Sequence, residues 1–232
     1  MQHCCVMTTM NQNFQRARST EAKEQREAAI LKAARALAAT HGVRQITLTD
    51  IADAIGMHKS ALLRYFETRE QIFLVLTAEG WREWSSALRK ELAQVEELSP
   101  ATGAAIFAKT LTARPMFCDL LAQAPLNLER NVSLDAVRAF KLIALNEVKV
   151  IGSELKRRLG LSSRQATDTV ATATSMAGAL WQMATPGPQV SALYRSEPEL
   201  AHAIVDVEPR LTHILEGLIT GYLTEKAKRK YV

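Results

Sequence analysis

The sequence predicts an all-α fold, and three observations carry that expectation. Ala, Leu, Glu, Lys and Arg are prominent, while Gly and Pro number only 10 and 7 among 232 residues, so helix formers dominate and helix breakers are sparse. Apolar residues recur at intervals of three and four along most of the chain, the spacing that lines one face of a helix. Strand-like alternation is limited to a weak run from Val43 to Leu48.

Composition sets the outer bounds. A chain 47% hydrophobic and 23% charged can build a globular core, and its length exceeds the ~100–200 residues usual for one domain. A mean hydropathy of -0.06, with no uncharged apolar run of about 18 residues, argues against a membrane-spanning helix. Lys and Arg total 29 against 24 for Asp and Glu, a net charge of +5 that suits a nucleic-acid binder without identifying one. The three cysteines, Cys4, Cys5 and Cys118, are odd in number and include an adjacent pair. That usage speaks against a disulfide framework and for a reducing cytoplasm.

The elements follow in order. Residues 1–20 lack both the basic segment and the apolar core of a secretory signal, and are expected to form a flexible tail. Glu21 to His41 reads as a helix, with Ile30, Ala34, Leu37 and Ala38 on one face and Gly42 as its C-terminal stop. Thr47 with Asp50 has the form of a capping box, opening a short helix to Ala54 that buries Leu48, Ile51, Ala52 and Ile55. Gly56 ends it. A third short helix is expected from about His58 to Tyr65, burying Leu62 and Phe66. Thr68, with Gln71 at the N3 position, opens a long fourth helix that Ser99-Pro100 terminates.

Further on, the pattern stays helical. Ala104 to Ala113 is one helix, Pro115 begins another, and Ala124 to Asn131 is expected as a loop. Ser133 caps a long helix to Gly160 whose stripe is Val137, Phe140, Ala144, Leu145, Val148 and Ile151. Ser162 or Ser163 starts the next, which runs to Met183 before Thr185-Pro186-Gly187-Pro188. Glu208-Pro209 opens the last helix, with Leu211, Ile214, Leu215, Leu218, Ile219 and Tyr222 on one side.

Thr47 to Phe66 carries the chemical information. Two short amphipathic helices joined at Gly56 form the outline of a helix-turn-helix. The second begins with His58, Lys59 and Ser60, small or cationic groups able to enter a major groove, and Arg64, Tyr65 and Arg69 follow within reach of phosphates. The same outline occurs in α proteins that bind no DNA. Enzymatic readings find no support: the histidines have no metal-ligand spacing, and no phosphate loop or nucleophile elbow occurs. No cofactor or metal is implied.

The order of Ile30-Leu31, Ala33-Ala34, Gly42, Ile51-Ala52, Gly56, Leu63-Arg64-Tyr65-Phe66 and Arg69-Glu70 resembles the N-terminal domain of the TetR family of transcriptional repressors, over roughly Glu21 to Phe73. The resemblance implies a three-helix DNA-binding head (residues 21–67) on a larger helical effector-binding and dimerisation domain (residues 68–232). It implies a ligand-responsive repressor that binds a pseudo-palindromic operator as a homodimer, in the cytoplasm, and is released by a small effector. The family's recognition pattern falls on Lys59, Ser60, Ala61, Leu63, Arg64 and Tyr65, its preceding-helix groove contact on Thr49, and its phosphate contact at the start of the fourth helix on Arg69; Thr47 and His58 stand at the two helix caps. His58 replaces the usual Ser or Thr, and Leu63 the usual Tyr, so the phosphate contact of that Tyr is lost or passes to Arg64 or Tyr65.

The remaining expectations are looser. Arg16 and Arg18 could form a minor-groove arm or belong to a solvated tail, and the basic end at Lys226, Lys228, Arg229 and Lys230 reads as a solvated helix end. An effector cavity would be lined by Trp84, Phe107, Met116, Phe117, Cys118, Phe140, Met176 and Trp181, with Arg114, Asn127, Glu147 and Gln182 as polar candidates and an apolar or amphipathic molecule as occupant. A dimer face would use Ala171, Ser175, Gly178 and Ala179 with Leu211, Leu215, Leu218 and Tyr222. The competing class is a helical ligand-binding or protein-interaction module that has lost specific DNA reading.

Overall fold

The computed structural model describes residues 3–229, with side chains for residues 21–225. The expectations for the first twenty residues, Arg16 and Arg18 among them, and for the basic C-terminal end lie outside the described side chains. Ten α-helices occur among the described residues, and no strand. Two compact units divide the chain, one through Ile72 and the other from Phe73.

In the first unit α1 (His3–His41) packs against α2 (Leu48–Ala54), which in turn packs on α3 (Lys59–Leu62). Ile30, Ala34 and Ala38 recur at every fourth position of α1 and are buried, facing a core that includes Val43, Ile46, Ile51, Ala52, Leu62 and Phe66. The segment with weak strand alternation is a 3-10 turn, Val43–Gln45, followed by extended Ile46. Its apolar residues point into the head and no second strand lies beside it.

The turn between α2 and α3 is built from backbone hydrogen bonds. Met57 N–H donates to Ala52 O at 2.9 Å and Gly56 N–H to Asp53 O at 3.1 Å, the paired bonds of a Schellman ending. Gly56 sits at φ +62°, the left-handed conformation this ending requires, where any side chain would be strained. The third helix is shorter than its sequence suggests. Leu63 is its C-cap, and Arg64 and Tyr65 donate to the carbonyls three residues back, tightening the end into 3-10 geometry.

α4 (Arg69–Ala93) starts in the first unit and continues in the second. It stops short of Leu98, because Arg158 donates to the carbonyls of Leu92, Val95 and Glu96 at its end. Ser99 is therefore a cap, its Oγ accepting from Thr102 N–H at 3.1 Å, and α5 (Pro100–Thr112) begins four residues before the expected Ala104 with Pro100 at its first position. α6 (Pro115–Leu126) carries Pro125 in its last turn, so the expected loop from Ala124 to Asn131 is instead a helix end followed by a 3-10 turn, Leu128–Arg130.

α7 (Leu134–Leu159) has Ser133 as N-cap and Gly160 at φ 67° as its stop. α8 (Ser163–Ala184) opens with a Ser162–Gln165 capping box. Neither α9 (Pro188–Ser196) nor the 3-10 segment Pro198–Ala203 was expected, and neither contains a buried residue. α10 (Val207–Arg229) closes the chain's helices.

α8 is the hub of the second unit, packing against α5, α6, α7 and α10. Its inward face is made of small residues (Ala166, Ala173, Ala177 and Gly178 with Val170), which lets neighbouring backbones come close. At Gly178 the α6 backbone comes so near that an added Cβ would stand 2.8 Å from Ala122 N. Three residues expected on a dimer face are therefore occupied within the chain. Gly178 meets α6, and Leu211 and Leu215 are fully buried on α10, which packs on α5 and α8. Leu145, expected in the buried stripe of α7, is 62% exposed. Among the described residues no helix is long and apolar enough to cross a membrane.

Candidate nucleic-acid interface

The side chains singled out on α2 and α3 share an outward position. Thr47, Thr49, His58, Lys59, Ser60 and Arg64 are exposed, Ala61 and Tyr65 are half-buried, and Leu63 is the one large hydrophobic exposed in the described part of the head. Beneath them Ile51, Ala52 and Leu62 are almost wholly buried. Each short helix thus has one anchored face and one free face. Seven- and four-residue helices have little stability of their own, so packing and caps must hold them.

The caps are explicit. Thr47 Oγ1 accepts from Asp50 N–H at 3.2 Å, and Asp50 Oδ2 receives both the amide and the hydroxyl of Thr47 at 2.7 Å. Hydrogen bonds from the Thr47 hydroxyl and amide hold the Asp50 carboxyl below its usual range, with a smaller pull in the same direction from His41. At α3 the cap is His58. Its Nδ1 accepts from Ser60 N–H at 3.4 Å and lies 2.8 Å from Ser60 Oγ. The Nδ1 side of the ring thus serves the cap.

Arg69 stands apart from this set. Its side chain is only 14% exposed, with Nε donating to Ile46 O, Nη2 to Val43 O, and Nη1 lying 2.9 Å from Glu70 Oε1. Nothing local announces the two carbonyl bonds, which span 23 and 26 residues.

In the second unit the aromatic candidates separate. Trp84, Phe107 and Phe117 are brought together, joined by Trp81, which no local sequence signal singles out. Trp81 meets Trp84 edge-on at 5.6 Å and Phe117 at 5.9 Å, and Phe107 meets Trp84 at 5.9 Å. Trp84 Nε1 donates to Thr110 Oγ1 at 3.1 Å, so the indole is both buried and satisfied.

Cys118 is fully buried, donates to Leu111 O at 3.3 Å, and has its thiol pushed up to about 12, chiefly by burial and secondarily by Asp119. A thiol held neutral in this way is a packing group and no nucleophile. Phe140 is buried at a separate place, with Lys141 Nζ 5.6 Å from its ring centre, while Met116, Met176 and Trp181 are half-buried. Of the polar candidates, Arg114 donates to Thr110 O at 2.8 Å and Gln182 to Asp119 Oδ1 at 2.8 Å. A groove of about 320 Å³ lies between the last 3-10 segment and α10, lined by His202, Ile204, Val205, Asp206, Pro209, Arg210 and His213 and by none of the aromatic candidates.

Comparison with known proteins agrees with this division. Residues 30–76 match the family model for bacterial regulatory proteins of the tetR family, and residues 78–226 match the tetracyclin repressor-like C-terminal domain. No curated protein matches the sequence. Among solved structures, a TetR/AcrR-family transcriptional regulator from Thermobifida fusca shares 19% identity at a TM-score of 0.51, covering 85% of this chain and 98% of that one. The fatty acid degradation regulator FadR from Bacillus halodurans shares 15% identity at a TM-score of 0.50, covering 82% and 94%. At such identities the likeness is one of fold. With one model spanning the head and the other most of the remaining chain, the protein belongs to the TetR family of ligand-responsive, DNA-binding transcriptional regulators.

Proposed function

We propose that the chain acts in the cytoplasm as a homodimeric repressor, placing α3 of each head in successive major grooves of a pseudo-palindromic operator. The observation that carries this reading is the exposed row of Thr49, Lys59, Ser60 and Arg64 on two short helices whose other faces are fully anchored. Lys59 suits the O6 and N7 acceptors of guanine, Ser60 can serve either base type, and Leu63 offers apolar surface of the kind that meets a thymine methyl group. Arg64, Tyr65 and His58 are the candidates for phosphates or groove edges, fixing register, while Thr47 keeps its hydroxyl and amide on Asp50 and serves as the cap.

Dimerisation is supported by two exposed stripes of small residues. On α8 these are Thr167, Ala171, Ser175 and Ala179, at successive fourth positions. On α10 they are Gly217 and Gly221, where an added Cβ would meet nothing within 4 Å, and the half-buried Leu218 and Tyr222 lie on the same helix. α8 and α10 pack on each other, so their outer sides can form one face for a second copy.

The effector is a small apolar or amphipathic molecule held among the helices of the second unit, with Met116, Met176 and Trp181 as the half-buried candidates nearest to availability. The test is fluorescence anisotropy with duplexes selected from a randomised library. Selective binding that weakens steeply with salt is expected, and equal affinity for selected and scrambled duplexes would overturn the reading.

A further inference from the structure

We propose that Arg69 is a positioning residue of the DNA-reading helices and makes no phosphate contact itself. The inference rests on the DNA-binding reading above. It starts from where the guanidinium is spent. The edge formed by Nε and Nη2 grips the carbonyls of Ile46 and Val43, and Nη1 faces the carboxylate of Glu70. At least three of its five N–H groups therefore point at partners within the head, and an adjacent carboxylate, itself only 20% exposed, balances the charge that a phosphate would need.

The two carbonyls belong to strategic residues. Val43 and Ile46 are 1% and 3% exposed, so their backbone oxygens lie beside side chains withdrawn from water. Ile46 immediately precedes Thr47, the cap of α2, and Val43 begins the 3-10 turn that delivers the chain to that cap. Arg69 is the first residue of α4. The bonds therefore tie the beginning of α4 to the beginning of α2, and the whole of α2, its Schellman turn and α3 form a closed loop between the two ends. Thr49 and Lys59, the residues proposed to read bases, sit within that loop. A fork that clasps its base sets their register.

Lysine cannot reproduce this arrangement. Its ammonium is a point charge on a flexible stem and lacks a planar edge to span two carbonyls, although it would serve a phosphate well. Arg69→Lys is therefore the discriminating variant. It would be compared with wild type and Glu70→Gln on a duplex selected against the wild-type protein and on a scrambled duplex, across a salt series. Amide hydrogen exchange of residues 43–51 would be followed in the DNA-free protein.

Arg69→Lys is expected to lose about tenfold or more in the ratio of selected to scrambled affinity, to keep the wild-type salt slope, and to exchange faster at Thr47, Asp50 and Ile51. Glu70→Gln, which leaves both carbonyl bonds intact, is expected to keep the wild-type ratio. Full retention of selectivity by Arg69→Lys, or unchanged exchange across residues 43–51, would overturn the proposal. So would an Arg69→Ala variant, folded by circular dichroism, whose salt slope falls by about one with selectivity intact, since that is the signature of a lost phosphate contact. Absence of selective binding by the wild-type protein would strike the DNA-binding reading alone, because the exchange experiment reads the brace without DNA.

Discussion

His58 holds the amide of Ser60 through its ring nitrogen, a task the family usually gives to a hydroxyl. Removing that acceptor in His58→Ala is expected to cost about 1 kcal/mol of head stability, with His58→Ser recovering most of it, as urea denaturation would show. Asp50 gives a pH test. Its carboxyl is held below the usual value by Thr47, so its contribution to folding is present above the unfolded value of 3.8 and is lost as pH falls through the lower folded value. Wild type and Asp50→Asn should therefore differ in stability at neutral pH and converge in acid. On the DNA side, Arg64→Ala should weaken binding to all sequences alike and lower the salt slope by about one, whereas Lys59→Ala should also relax sequence preference. A Lys59→Ala protein with unaltered preference would remove Lys59 from base reading.

Element boundaries were readable where the signal is local. Thr47 with Asp50, Ser133 and Gly160 do in the structure what their positions announce, and of the two serines offered for the start of α8 it is Ser162 that caps, because a cap satisfies amides or carbonyls within a few residues of itself. Misreadings arose where a residue has two meanings. Pro100 reads equally as a stop for α4 and a first position for α5, and it is the second; α9 carries Val190, Leu193 and Tyr194 at helical spacing, but it is only nine residues long and follows a run of helix breakers at Pro186-Gly187-Pro188. Contacts that depend on distant chain segments were invisible. Among them are the Trp81–Phe117 pair, the carbonyl partners of Arg69, and the seat of Gly178 against α6. The last yields a prediction for the α6–α8 pair. Gly178→Ala has a backbone atom in the way, and is expected to destabilise the protein by about 1–3 kcal/mol in thermal unfolding.

At the scale of the whole molecule, a head that reads half a site needs a twin. Ser175→Arg on the exposed stripe of α8 is expected to shift sedimentation toward the monomer and to weaken operator binding by roughly 100-fold, although it leaves Thr49, Lys59 and Ser60, the residues proposed to read bases, untouched. A dimeric Ser175→Arg protein would move the dimer face elsewhere.

α4 belongs to both compact units, and its 25 residues span about 37 Å. Helix ends ordinarily fray, but here each is fastened by an arginine: Arg69 to the carbonyls before α2, and Arg158 of α7 to the carbonyl of Leu92 in the last turn of α4 and that of Val95 just beyond it. In mechanical language the helix is a strut pinned at both ends. Unwinding either end of the helix from its own unit therefore means breaking an arginine's bonds to carbonyls first.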